Sequence, residues 1–301
     1  MSVLLTTSRH SFFNLMPFNV EEAGCLDDVD LCLPVYQLSD LAFQVVAYVD
    51  GSDKDWFEQE YMGSPNTIRA GICDTCPSDE EAPQTPPAAL QFNSKWNLIS
   101  SGTTDVWLGE FNVLAPPAWE KQVGECFKIC LYRLYSGMTG DVTIKLACTN
   151  YCFQRIADPC DTSLFTYRCN EDSFDFLYKN FPTFKNKVRL PAYLLNMQLP
   201  SEEKTYRTSN GQFIKLFERI DEEYELKIDY VPKHWHCKIK VLLAHDDVTI
   251  KNPNEFGNLT IPIVCREKYD IMWQEVEYIN APAKTKVLRS EALHTTNSYC
   301  N

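Results

Sequence analysis

Between Glu223 and Ile250 the chain alternates. Tyr224, Leu226, Ile228 and Tyr230 stand between Glu223, Glu225, Lys227 and Asp229. After Val231-Pro232-Lys233, a second run puts Cys237, Ile239, Val241 and Leu243 on one face if the chain is extended. Successive side chains of a strand point to opposite sides of its sheet. A period of two over neighbouring segments therefore predicts β-strands with one buried face.

The same pattern recurs upstream. Residues 41–49 place Leu41, Phe43, Val45, Ala47 and Val49 on one side. Further strands are expected at 97–100, 105–114, 125–134 and 141–148, which with 41–49 suit a first sandwich. Ser209-Asn210-Gly211 is a hairpin signal, because Asn and Gly accept the positive φ of a type I′ turn. It joins 204–208 to 212–219. Strands follow at 223–230, 236–244, 248–250, 259–264 and 269–278, with turn material at 252–258. Short strands at this spacing favour antiparallel sheets over βαβ units. The expected fold is all-β, with two antiparallel β-sandwich domains and long loops. Residues 1–36 lack periodicity and read as an N-terminal arm, 37–160 as the first domain and 161–301 as the second. The last dozen residues look frayed. Residues 74–89 hold four prolines and four carboxylates, and read as an exposed loop.

Composition removes several classes of function. A net charge of −13 argues against nucleic acid, whose phosphates call for Lys and Arg, and against anionic membranes. Residues 1–13 have neither the cationic nor the apolar region of a signal peptide. No stretch approaches the length of a membrane-spanning helix. The expectation is synthesis in a cytoplasm. The thirteen cysteines are an odd number, so at least one cannot pair within the chain. In a reducing compartment most remain thiols and pack as small hydrophobes. Cys126, Cys130 and Cys148 fall at core-type positions of apparent strands.

Several local groupings carry possible chemistry. Cys73 and Cys76 form a C-x-x-C and are weak candidates for a metal site, for plain thiols or for a disulfide. Cys148 and Cys152 could complete a four-sulfur set if the fold brought them close. Pro77 argues against a redox helix after Cys73. His234 and His236 would share a face on a strand, but a third ligand is missing and Cys237 faces away. His245-Asp246-Asp247 resembles a base with its orienting carboxylate, yet no nucleophile elbow exists, and the strand-then-turn context favours a hairpin turn. Asp50, Asp53 and Asp55 do not match a calcium loop and read as a turn. Asn258-Leu259-Thr260 is a glycosylation sequon without a secretory signal to give it meaning. Trp56, Phe57, Tyr61, Trp96, Trp119 and Trp235 could line a sugar or partner surface if exposed; core packing is their commoner use. No phosphate-binding, dinucleotide-binding or zinc-protease motif is present. No catalytic residue and no cofactor are expected.

Three segments carry a resemblance. They are Cys32-Leu33-Pro34-Val35-Tyr36 leading into Ser39-Asp40-Leu41-Ala42-Phe43-Gln44, then Val188-Arg189-Leu190-Pro191-Ala192-Tyr193-Leu194, and the block 206–250. Over about a third of the chain they look like virion tail and neck proteins of Bacteroidetes phages, especially the crAss-like group. The resemblance implies a non-enzymatic subunit of a ring, tail or fibre-attachment layer, present in several copies. It implies a homo-oligomer contacting other virion structural proteins, with no nucleic acid and no membrane insertion. The chain would reside in the virion after synthesis in the host bacterial cytoplasm. Its rivals are a carbohydrate- or receptor-binding module of a tail fibre, and a hydrolase on a β scaffold.

Overall fold

The computed structural model describes residues 3–13, 15–17, 32–51, 54, 68–73, 92–113, 122–137, 140–149, 151–251, 259–272, 280–290 and 294–297. The chain forms two compact units. One comprises Met1–Pro159 and Arg168–Arg189, the other Cys160–Tyr167 and Leu190–Asn301. The segment 168–189 thus returns to the first unit, unlike the contiguous division at 160.

Strands β1 to β6 are Val3–Thr6, Leu15–Pro17, Leu33–Val35, Ala42–Asp50, Ile68–Cys73 and Phe92–Ser100. Strands β7 to β12 are Thr104–Val113, Cys126–Gly137, Gly140–Thr149, Phe153–Arg155, Ser163–Arg168 and Asn186–Leu190. Strands β13 to β16 are Ala192–Gln198, Ser201–Arg207, Phe213–Ile220 and Glu223–Pro232, followed by helix α1 at Lys233–Leu243. Strands β17 to β21 are Asp247–Lys251, Thr260–Cys265, Asp270–Ile271, Asn280–Arg289 and His294–Asn297. The protein is mostly strand with a short helix, an all-β fold.

In the first unit, one sheet runs β12-β4-β7-β6, with β1 paired to β4. A second runs β2-β9-β8-β10-β3, with β5 on the other edge of β8. Phe13 joins the two: its ring stacks on Phe43 of β4 at 4.4 Å and lies 5.4 Å from Phe153 of β10. Phe111 and Phe127 extend the row on either side. The alternation at 41–49 is realised, with Leu41, Phe43, Val45, Ala47 and Val49 all buried. Residues 3–6, 15–17 and 33–35 were expected in a free arm. They are strands instead, because β1, β2 and β3 find partners far along the chain. On the opposite side of β4 and β7, Phe181 and Phe184 pack on Ala42 and Leu108. A buried ion pair, Arg189 Nε to Asp40 Oδ2 at 2.8 Å, holds the same region. The expected loop at 74–89 lies outside the described residues.

In the second unit, a sheet runs β13-β16-β20-β18-β17-β11. Strand β16 buries Tyr224, Leu226 and Ile228 as its alternation requires. Tyr230 departs from the expectation. The pairing with β20 slips between Ile228 and Val231, a β-bulge that turns Tyr230 outward and seats Val231 in the core.

The strand expected at 236–244 is a helix. Its buried residues are Trp235, His236, Lys238, Ile239, Leu242 and Leu243, which recur at helical spacing. The alternation of Cys237, Ile239, Val241 and Leu243 is an accident of a short run. Cys237 is exposed, and Pro232 occupies the cap position before the first turn. Strand β20 carries a weak sequence signal, because Ala281, Ala283 and Thr285 on its buried face are small or polar and only Val287 is a large apolar residue there. Within the last dozen residues, expected to fray, 294–297 form β21 and pair with β15. Of the strand expected at 269–278, only Asp270–Ile271 lies in a described strand.

Candidate interaction surface

The residues singled out for chemistry are mostly used for packing. In α1, His236 is buried while His234 is exposed, so they do not share a face. Both nitrogens of His236 are engaged, Nδ1 with the Tyr269 hydroxyl at 2.7 Å and Nε2 with the Ala281 carbonyl at 2.9 Å. Desolvation holds its pKa below the usual imidazole range and drives that of Tyr269 upward. The site is a structural clamp between α1 and β20, with no nitrogen left for a metal. His245 lies two residues past the helix end, where Nδ1 donates to the Val241 carbonyl at 2.8 Å and the ring meets Tyr167 edge-on. It closes a helix-to-strand turn rather than a hairpin.

Cys73 ends β5 at the register position opposite Lys128, while Cys76 lies outside the described residues. Cys130 and Cys148 are directly paired across β8 and β9 and form a disulfide, with Cα atoms 4.1 Å apart. Cys126, expected in the core, is exposed. Among the described residues no cluster of three Cys, His, Asp or Glu has metal-binding geometry. At the turn after β4, Gly51 takes a positive φ and Lys54 bonds to Asp105 at 2.8 Å, with a second bond to the Gly102 carbonyl. Asp53 and Asp55 lie outside the described residues, as does Asn258.

Trp96 and Trp235 are buried and cannot serve as a binding platform. Trp56, Phe57, Tyr61 and Trp119 lie outside the described residues. A cleft of about 310 Å³ opens beside β13 and β16. Its Glu223 already takes Arg266 at 3.2 Å and Lys286 at 3.3 Å.

One surface stands apart. Strands β14, β15 and β21 form a separate three-stranded sheet in that order. The connecting turn is Thr208–Gly211, closed by the Gly211 N–H on the Thr208 carbonyl at 2.9 Å. Gly211 has φ +82, while Asn210 is not among the positive-φ residues. The turn is therefore a type I turn followed by a left-handed glycine, not the type I′ turn that the dipeptide suggests. The Thr208 hydroxyl adds two bonds to Gln212, both 3.1 Å.

No residue of β14 or β15 is buried. Phe213 is 71% exposed, Tyr206 58%, and Ile214 and Leu216 are also exposed. Register places Tyr206 opposite Ile214 and Lys204 opposite Phe217 on one face. On the other face Lys215 bridges Glu203 at 2.9 Å and Glu218 at 2.8 Å. Arg207 lies over the Phe213 ring at the tip. Leu216 sits at a bulge, where the register shifts between Lys204 and Thr205. The sequence held a signal for this: β15 reads Phe-Ile-Lys-Leu-Phe, apolar on both sides, unlike a strand with one solvated face. Ordering a residue costs about 1–2 kcal/mol of backbone entropy, and exposed strands recover little of it by burial. Among the described residues both edges of this sheet, β14 and β21, are unpaired. Such edges are templates for another chain.

No family model, curated protein or solved structure matches this chain. No helix among the described residues is long and apolar enough to cross a membrane.

Proposed function

We propose that this protein is a non-enzymatic structural component of a phage virion tail or neck, assembling in multiple copies as a ring or attachment layer. The observation that carries the reading is the β14-β15-β21 sheet, whose two edges are unpaired among the described residues and which has no buried residue in β14 or β15. The partner is a second copy of the chain. The β14 edge of one copy adds to the β21 edge of the next, continuing the sheet across the contact. A head-to-tail contact of this kind generates a ring where the rotation closes. The exposed Tyr206, Phe213, Ile214 and Leu216 are covered by the neighbour. The placement in a virion rests on the resemblance of residues 32–44, 188–194 and 206–250 to crAss-like phage proteins.

The hairpin can be excised at its base, where the Asp221 N–H bonds to the Pro200 carbonyl at 3.0 Å, and β21 loses its β15 partner with it. Excision of residues 201–220, replaced by a two-residue turn, should leave a folded monomer by circular dichroism and mass photometry. The intact chain should form a discrete multi-copy species. An intact chain that stays monomeric, or an excised chain that still assembles, would sink the reading. For the virion placement, portal, capsid and tail genes should flank this one.

A further inference from the structure

Three thiols that the assembly reading does not use meet at one end of the second sheet of the first unit. Strand β10 runs between β3, to which it is parallel, and β8, to which it is antiparallel. Leu33, Phe153 and Phe127 are register partners and fill the core on one face. Side chains alternate along a strand, so the neighbouring residues Cys32, Cys152, Cys126 and Lys128 turn to the other face. The Leu33 N–H donates to the Cys152 carbonyl at 2.9 Å, which aligns Cys32 beside Cys152. The Cys32 thiol lies within hydrogen-bonding reach of the Cys152 sulfur and, on its other side, of the Cys126 sulfur. Cys32 and Cys152 are half-buried, Cys126 is exposed and Lys128 is buried. The pair is therefore sheltered yet open to a small reagent.

We propose that Cys32 and Cys152 are a redox-active dithiol that closes to a disulfide by exchange with a low-molecular-weight disulfide, Cys152 being the attacking sulfur. Cys152 forms a bond to one sulfur of the small disulfide, whose S–S bond breaks and releases one thiolate. Cys32 then gives up its proton, bonds to the Cys152 sulfur and expels the second thiolate. Two protein thiols become one disulfide, the small disulfide becomes two thiols, and two electrons pass to it. The neighbourhood divides the roles. The hydrogen bond from Cys32 and the charge of Lys128 bring the Cys152 pKa down to about 6. Donation to Cys152, burial and the adjacent Cys126 push that of Cys32 upward. A thiolate at Cys152 beside a protonated partner is the arrangement that exchange needs. The new bond staples β3 to β10 and so fastens the chain entering the sheet at residue 32.

The test uses the full chain, reduced, desalted and treated with oxidised glutathione at neutral pH, followed by non-reducing peptide mapping. A Cys32–Cys152 linkage is expected. With Cys32→Ser, Cys152 should stop at the mixed disulfide with glutathione. In limited alkylation at pH 6, Cys152 should label about tenfold faster than Cys237, the exposed cysteine of α1. The wild-type map needs no variant to fold. Absence of the linkage, a Cys32–Cys126 linkage in its place, or labelling of Cys152 no faster than Cys237 overturns the proposal.

Discussion

Gly109 sits in the middle of β7, paired with Val45 of β4 on one side and with Trp96 of β6 on the other. Its backbone is not in the left-handed region, so replacing it with alanine tests space alone. A Cβ at this position would lie 2.8, 2.9 and 2.9 Å from three atoms of the Trp96 ring, where ordinary contact is 3.4–4 Å. The ring must retreat by roughly half an ångström or more. It is 3% exposed and meets Phe111 edge-on at 5.7 Å; Phe111 stacks on Phe43, and Phe43 on Phe13. The displacement therefore runs into the aromatic row that joins the two sheets. Overpacking of this kind costs about 1–3 kcal/mol. The loss of glycine's unfolded-state freedom returns up to about 1 kcal/mol. The two bracket a cost of about 0–3 kcal/mol, and the near-complete burial of the ring places Gly109→Ala at about 1–2 kcal/mol of destabilisation. Urea unfolding followed by far-ultraviolet circular dichroism measures this without relying on Trp96 as the reporter. In a Trp96→Leu background the obstructing ring is gone, and Gly109→Ala should cost nothing or stabilise slightly. A Gly109→Ala protein within about 0.3 kcal/mol of wild type, or an equal cost in both backgrounds, would refute the reasoning.

Two further expectations rest on buried charge. Asp40→Asn removes the carboxylate that lies 2.8 Å from the Arg189 guanidinium, which is 4% exposed and 5.9 Å from the Tyr36 ring centre. Breaking such a pair costs about 3–5 kcal/mol, and Asp40→Asn combined with Arg189→Met should recover much of it in thermal unfolding. Lys238 of α1 is 7% exposed, and burial lowers its pKa from 10.5 to about 8. Between those values the unfolded chain holds a proton that the folded chain has released, so wild type gains stability as the pH rises through that window. Below pH 8 the buried charge works against folding. At about 1.4 kcal/mol per unit the ceiling is about 3 kcal/mol. Lys238→Met should be more stable than wild type at pH 7, with the gap narrowing at pH 10. A gap of constant size, or of opposite sign, contradicts the assignment.

Strands whose own residues alternate cleanly were legible from the chain. Leu41 to Val49 and Tyr224 to Ile228 bury the residues their pattern marks, because period two in side-chain polarity is a local property of an extended backbone. The hairpin at Gly211 was legible for a similar reason, since a positive φ singles out glycine whatever surrounds it. Other features depended on distant partners. Residues 233–243 carry apolar groups compatible with either period, and packing of Trp235, Ile239 and Leu242 selected the helix. Tyr230 faces solvent because the pairing with β20 slips by one residue, and register is a property of two strands together. Strands β1, β2, β3 and β20 form where a neighbour offers hydrogen bonds, with little side-chain signal of their own. Tertiary structure alone joined Cys130 to Cys148 and gathered Cys32, Cys126 and Cys152, which stand far apart in the chain. It also left β14 and β15 uncovered: local pattern states which residues are able to form a strand, and only the folded chain decides what covers it.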